Sequence, residues 1–413
     1  MLHRSTLYPL AATALVLAAC GTGTAAAPRA TPSTTAPVRG AVVHVQSGDG
    51  ITTLGVQGGE WTAPGGVATP DGATIFTVAS GRLHTIDGLT GAERASQPVA
   101  AGLRPVVASA DAEVVALTDS PSRIGEGVMP VGRARSTIAI AGATRPRTFT
   151  VDGNVLPEGF SSDHSRLLVI DFLPATHPDR YRVRSMDLAS GALGPVFTFD
   201  KTIDTEEMRG LSRTQVFSDH GPYGLPSSPF LYTLYSRAGS GTAGYEDVHV
   251  LSLDTGFVHC TDLPAGFGAG AGGGAIAVSP DGKRVYVASA GGAVAEVDTS
   301  TVASPLFPVL HTAHFDGGGV TPTVALVADN DGAWLGLGTR LVRLSATDLH
   351  PVTTAHVDQP LYALAAQADG SLYAATSHAV ESIAPGTGSS HVIATVTGTP
   401  VRLTLAATSP ALG

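Results

Sequence analysis

One short turn recurs along this chain and limits it to a repeat-built, all-β fold. In its fullest form, Ala275-Ile-Ala-Val-Ser279-Pro280-Asp281-Gly282-Lys-Arg-Val285-Tyr286-Val287-Ala288, an apolar strand enters a Ser-Pro-Asp-Gly turn and an alternating strand leaves it. Proline presets φ for the turn and glycine accepts φ > 0, so the flanking strands pair as a hairpin. Ala293-Val-Ala-Glu-Val-Asp298 adds a third strand after a short glycine turn. Degraded copies carry their aspartates at Asp71, Asp111, Asp163, Asp219, Asp281, Asp331 and Asp369, with spacings of 40, 52, 56, 62, 50 and 38 residues. A period of roughly 40 to 60 residues holding four short strands predicts the blade of a β-propeller.

A second marker keeps the same order. Asp87-Gly-Leu-Thr-Gly91, Asp187-Leu-Ala-Ser-Gly191, Asp254-Thr-Gly256, Asp298-Thr-Ser-Thr301 and Pro385-Gly-Thr-Gly388 each close a third strand and open an outer one. Together with Val285-Tyr286-Val287, the repeat resembles that of the YVTN (YncE-like) β-propeller family, and the likeness covers nearly all of residues 41–413. It rests on turn motifs, so it implies architecture and no particular activity. The Trp-Asp signature of WD40 repeats is absent; the tryptophans are Trp61 and Trp334.

The two ends of the repeat region predict how the ring shuts. Val401 to Ala406 reads as a first strand, Ala41 to Gln46 as a third and Ile51 to Val56 as a fourth. Sharing one blade between them removes an exposed sheet edge. Seven full units plus this split one make eight blades. Read this way the split unit is one strand short, which leaves a seven-bladed ring as the alternative.

Charged residues make up only 14% of the chain, with 50 glycines and 28 prolines, as a turn-rich β protein requires. The net charge is −10, with no basic run, which argues against nucleic acid as a partner. No Gly-x-Ser-x-Gly elbow, His-Glu-x-x-His helix or phosphate-cradling Gly-x-x-x-x-Gly-Lys-Ser/Thr is present, so no catalytic motif and no cofactor is indicated.

The first forty residues read as an address. His3 and Arg4 precede an apolar stretch from Leu7 to Ala19. As a helix it rises roughly 20 Å, too short for the hydrocarbon core of a bilayer and right for a signal peptide. Leu17-Ala18-Ala19-Cys20-Gly21 resembles the bacterial lipobox. The resemblance implies a signal peptide over 1–19, lipidation at Cys20, a tether over 20–40 and a propeller over 41–413. It also implies anchoring on the outer face of the bacterial cell membrane. Cys260 is then left without an intramolecular partner.

The sequence also favours one face. In a propeller blade, strands a to d run outwards from the axis. The a–b and c–d turns share one face; the b–c turns and d–a crossings share the other. The b–c turns at Ser80-Gly81, Ala290-Gly291-Gly292, Gly338-Thr339 and Thr376-Ser377 are short. Three consecutive units carry insertions there instead: Asp119–Ser136 with Arg123, Arg133 and Arg135, Leu173–Tyr181 with His177, Asp179 and Arg180, and Arg237–Asp247 with Tyr245, Glu246 and Asp247. Opposite them, the a–b region from Ser218 to Pro229 is the one long turn. Rigid blades carrying variable loops are a binding platform. The expectation is a membrane-anchored protein binding a glycan, peptide or protein ligand through these residues. The alternative is a lactonase- or lyase-type enzyme with its site at the mouth of the axial channel. Two metal-like patterns have simpler readings. His311 and His314 would point to opposite faces of one strand, and Asp329-Asn330-Asp331-Gly332 is the a–b turn of its unit.

Overall fold

The computed structural model describes residues 42–413 apart from 57–58, 122–128, 144, 198–209, 222–225, 238–245, 265–266, 268–272, 302–305, 317–322, 368–369, 385–386 and 407–413. The signal peptide 1–19, the tether 20–40, Arg123, Tyr245 and the turn residues Asp369 and Pro385-Gly386 therefore lie outside the described residues.

The described strands form eight four-stranded antiparallel sheets. Seven follow the sequence, each from its innermost to its outermost strand. Blade 1 runs from Val67–Ala68 to Glu93–Pro98, blade 2 from Arg104–Ala108 to Arg147–Asp152, and blade 3 from Asn154–Phe160 to Leu193–Val196. Blade 4 runs from Gly210–His220 to Val258–Asp262 and blade 5 from Gly274–Val278 to Val309–His314. Blade 6 runs from Val324–Asp329 to Pro351–His356 and blade 7 from Ala363–Ala366 to Ser390–Thr395. Blade 8 is the shared one: Pro400–Ala406 is innermost, followed outwards by Val42–Ser47, Gly50–Val56 and Gly59–Pro64. The fold is an eight-bladed β-propeller.

Blade 8 is complete, which corrects the strand count read from the sequence. Val42–Ser47 and Gly50–Val56 are its second and third strands, and Gly59–Pro64 is the fourth. Outermost strands are packed on fewer sides and so carry little apolar pattern: blade 1 ends in Glu-Arg-Ala-Ser-Gln-Pro, mostly exposed. Glu60-Trp61-Thr62-Ala63-Pro64 is equally plain as a sequence.

The turn motif works as a hydrogen-bonded unit. In blade 5 the Ser279 hydroxyl donates to Asp281 Oδ1 (2.7 Å), which also accepts the Lys283 amide (3.1 Å), while the Arg284 amide donates to Ser279 Oγ (3.0 Å). Thr69 with Asp71, Ser109 with Asp111 and Ser161 with Asp163 repeat this set. Asp219 instead lies within the long first strand of blade 4, and Asp331 sits in a two-residue hairpin.

Each blade packs on the next through buried Val, Leu, Ile, Ala, Phe and Tyr, and apolar clusters occupy all eight interfaces, including the one between blades 8 and 1. Burying each large aliphatic side chain contributes roughly 1.5–3 kcal/mol. His44 closes the seam between blades 8 and 1. Its Nδ1 meets Thr53 Oγ1 and its Nε2 meets the Gly72 carbonyl, both at 2.9 Å. Gly72 has φ +69°, and a Cβ there would fall 2.8 Å from His44 Cδ2, so the turn must present glycine to the histidine.

Candidate functional site

The insertions of blades 2 and 3 are joined to each other. The Arg133 amide donates to the Ala175 carbonyl (2.8 Å), and the buried Asn154 amide group donates to Val131 O (3.1 Å) and Ala175 O (3.3 Å). A Cβ on Gly132 would fall 1.8 Å from Thr176 O, so the two loops meet backbone to backbone. Met129 packs on the cluster of Leu156, Ile170, Phe172, Tyr181 and Tyr235 below. The result is a single ridge across two blades, with Val131 68% exposed at its crest.

The sequence-selected residues divide over this ridge. His177 and Asp179 are exposed, and Arg180 pairs with Asp179 at 2.8 Å. Arg135 is exposed and pairs with Asp152 (3.0 Å). Arg133 is turned inwards: it pairs with Asp119 (2.5 Å), and its Nε donates to the Arg135 carbonyl (2.9 Å). Asp247 is buried in the third strand of blade 4, opposite Tyr235. Glu246 opens that strand, and Arg123 and Tyr245 fall outside the described residues.

A second candidate is the axial channel, whose mouth is the site of the alternative reading of the sequence. A cavity of about 790 Å³ runs along the innermost strands of all eight blades. Its wall is largely apolar, with Val67, Pro105, Leu156, Ile276, Leu326, Leu364 and Val401 among the lining residues. Charged residues interrupt it at Asp111, Glu158, Asp219 and Arg402. Glu158 sits at a register shift between Pro157 and Gly159, a bulge that leaves it without a partner across the strand pair. It is 4% exposed; Gln215 Nε2 donates to its Oε1 (3.0 Å), and its Oε2 has no partner. Burial pushes its pKa up to about 8, with the Gln215 hydrogen bond opposing, so the carboxyl is largely protonated at neutral pH. Arg402, third in the innermost strand of blade 8, is exposed to the lumen. The protein around it still lowers its pKa by desolvation. The signal for both was present: a charged residue inside an innermost strand, where blades 5 and 7 carry Gly-Ala-Ile-Ala-Val and Ala-Leu-Ala-Ala.

The remaining clusters are structural. His164 occupies the turn position of Gly72 and Gly282, with φ +53°. Its Nε2 faces Asp111 (3.1 Å) and its Nδ1 faces Glu113 (3.8 Å). The two carboxylates address different ring nitrogens, whereas one metal ion takes only one, so this trio is a clasp between blades 2 and 3. The strand Val309–His314 is unbroken; His311 turns inwards to Glu296 (2.9 Å) and His314 outwards. Cys260 is half-buried in the outermost strand of blade 4.

No family model and no curated protein matches the chain. Solved structures similar to it are Kuenenia stuttgartiensis hydrazine synthase (15% identity, 78% of this chain and 99% of that one, TM-score 0.44) and BamB from Moraxella catarrhalis (15%, 83% and 93%, 0.44). A eukaryotic initiation factor is similar at 11% identity over 89% of this chain and 98% of that one, with a TM-score of 0.47. At these scores the likenesses carry no functional argument, and the architecture stands on the eight sheets themselves.

Proposed function

We propose that this chain is a YncE-like interaction propeller, held by a lipid on Cys20 at the outer face of the bacterial cell membrane, that binds a glycan, peptide or protein through the b–c insertions of blades 2 to 4. The observation that carries this reading is the locking of two insertions into one ridge. Loops lengthened by drift have no reason to exchange main-chain hydrogen bonds across blades, as Arg133 and Ala175 do. A fixed ridge lowers the ordering cost of binding. Its exposed crest offers Val131, Arg135, His177 and Asp179.

The topology supports the orientation this requires. Val42 begins a second strand, so the chain enters the ring on the a–b face, opposite the ridge.

One experiment compares three full-length chains in cells: wild type, Cys20→Ala, and a form with all three b–c insertions cut to two-residue turns. Membrane retention and photo-crosslinked partners are read together. Cys20→Ala should leave the membrane fraction, and the trimmed form should stay there but lose its crosslinks. Crosslinks kept at full strength by the trimmed form would place the binding surface elsewhere.

A further inference from the structure

The axial channel joins two features that a space filler would lack. It is large, at about 790 Å³, and mostly apolar. Val401, 64% exposed, and Arg402 beside it both line the lumen, so an apolar and a cationic group are offered together.

From this arrangement we infer that the channel is a binding pocket for a small monoanionic organic acid with an apolar body, its acid group on Arg402 and its body along the Val401 wall. Charge balance selects the class. Arg402 is the only lysine or arginine among the described lining residues, and Asp111 and Asp219 line the a–b end. A single guanidinium suits one carboxylate through paired hydrogen bonds. A polyanion such as a phosphate ester would need more cations than the wall supplies, in a protein of net charge −10. The apolar wall suits a hydrocarbon or aromatic body. None of this rests on the ridge, so the two readings stand or fall separately.

The test uses the full chain and two isosteric probes, 2-naphthoate and its neutral amide, titrated by calorimetry. Naphthoate should bind at one site per chain, and Arg402→Gln should weaken it at least tenfold while barely changing the amide. Val401→Trp, which fills the lumen from an exposed position, should block both probes while the melting temperature stays close to that of wild type. Naphthoate that fails to bind wild type, binds no better than the amide, or is indifferent to Arg402→Gln overturns the proposal. Should Arg402→Gln prove unstable, Val401→Trp decides alone: naphthoate bound to it at full strength lies outside the channel.

Discussion

The interface between blades 8 and 1 and that between blades 3 and 4 each bury a titratable side chain, and they treat it in opposite ways. At the first, His44 has a partner on both ring nitrogens, Thr53 and the Gly72 carbonyl. At the second, Glu158 has Gln215 on one oxygen and nothing on the other. Both groups are kept neutral by desolvation: the His44 pKa falls to about 4 and that of Glu158 rises to about 8. A satisfied buried group fixes a seam. An unsatisfied one marks a place where the fold gives up stability for something else.

The largest effect tests whether the seam matters at all. Deleting Val401–Gly413 strips the innermost strand from blade 8, together with buried Leu403 and Ala406, and leaves Val42–Ser47 as a bare edge. The loss is comparable with the roughly 5–15 kcal/mol that holds a typical domain together. The truncated chain should aggregate or melt far below wild type in a thermal scan. An unchanged melting temperature would mean that the ring does not close through this strand.

The next effect belongs to Glu158. Its folded pKa, about 8, lies above the ordinary carboxyl value of 4.5, so the folded state keeps a proton that the unfolded chain releases. Stability from this group is complete below pH 4.5 and is lost as pH rises towards 8, at about 1.4 kcal/mol per unit and roughly 5 kcal/mol in all. The buried Tyr181 and Tyr235 hydroxyls nearby are themselves pushed up, chiefly by burial and with Glu158 among the groups that raise them. Glu158→Gln keeps the volume and the Gln215 contact but cannot ionise. Urea unfolding at pH 5 and pH 8 should show the variant gaining several kcal/mol on wild type at the higher pH only. Equal gains at both pH values would mean the group is not the buried acid described here.

How much of this was legible in the sequence depends on whether a partner is local. The Ser-Pro-Asp-Gly turns are closed by bonds within five residues, so Asp281 and Asp111 announce their hairpins. The blade count and the shared blade followed from them. Gly59–Pro64 was not legible, because an outermost strand needs no apolar face. The insertions could be located, yet nothing in Gly132 or Ala175 says that they touch. Glu158 and Arg402 are visible as charges in apolar strands, but only the fold shows that a bulge seats Glu158 against Gln215 of the next blade and that ring closure brings Arg402 to the lumen. His44 reads as an ordinary strand residue, since Gly72 lies 28 positions away across the seam.

The smallest effect sharpens the comparison from the acid side. The His44 folded pKa, about 4, lies below the ordinary 6.5, chiefly because burial disfavours the imidazolium, with the Gly72 carbonyl and Asp71 opposing. Here the unfolded chain binds a proton that the folded one refuses. Stability from this group is complete above pH 6.5 and is lost as pH falls towards 4, about 3 kcal/mol in all. The acid loss from the hydrogen-bonded turn carboxylates sets in lower, since Asp87, Asp111, Asp163 and Asp281 all have pKa values below 3.8. Between pH 4.5 and 6.5 this slope and that of Glu158 run in opposite directions and largely cancel in wild type, so it is in the Glu158→Gln background that stability should fall below pH 6.5 and that adding His44→Gln should flatten the curve. The double variant should be nearly level from pH 4 to 8, because the two groups sit at different interfaces and should act independently. A slope between pH 6.5 and 4 that survives in the double variant would assign the acid sensitivity to another group and leave the seam histidine a spacer.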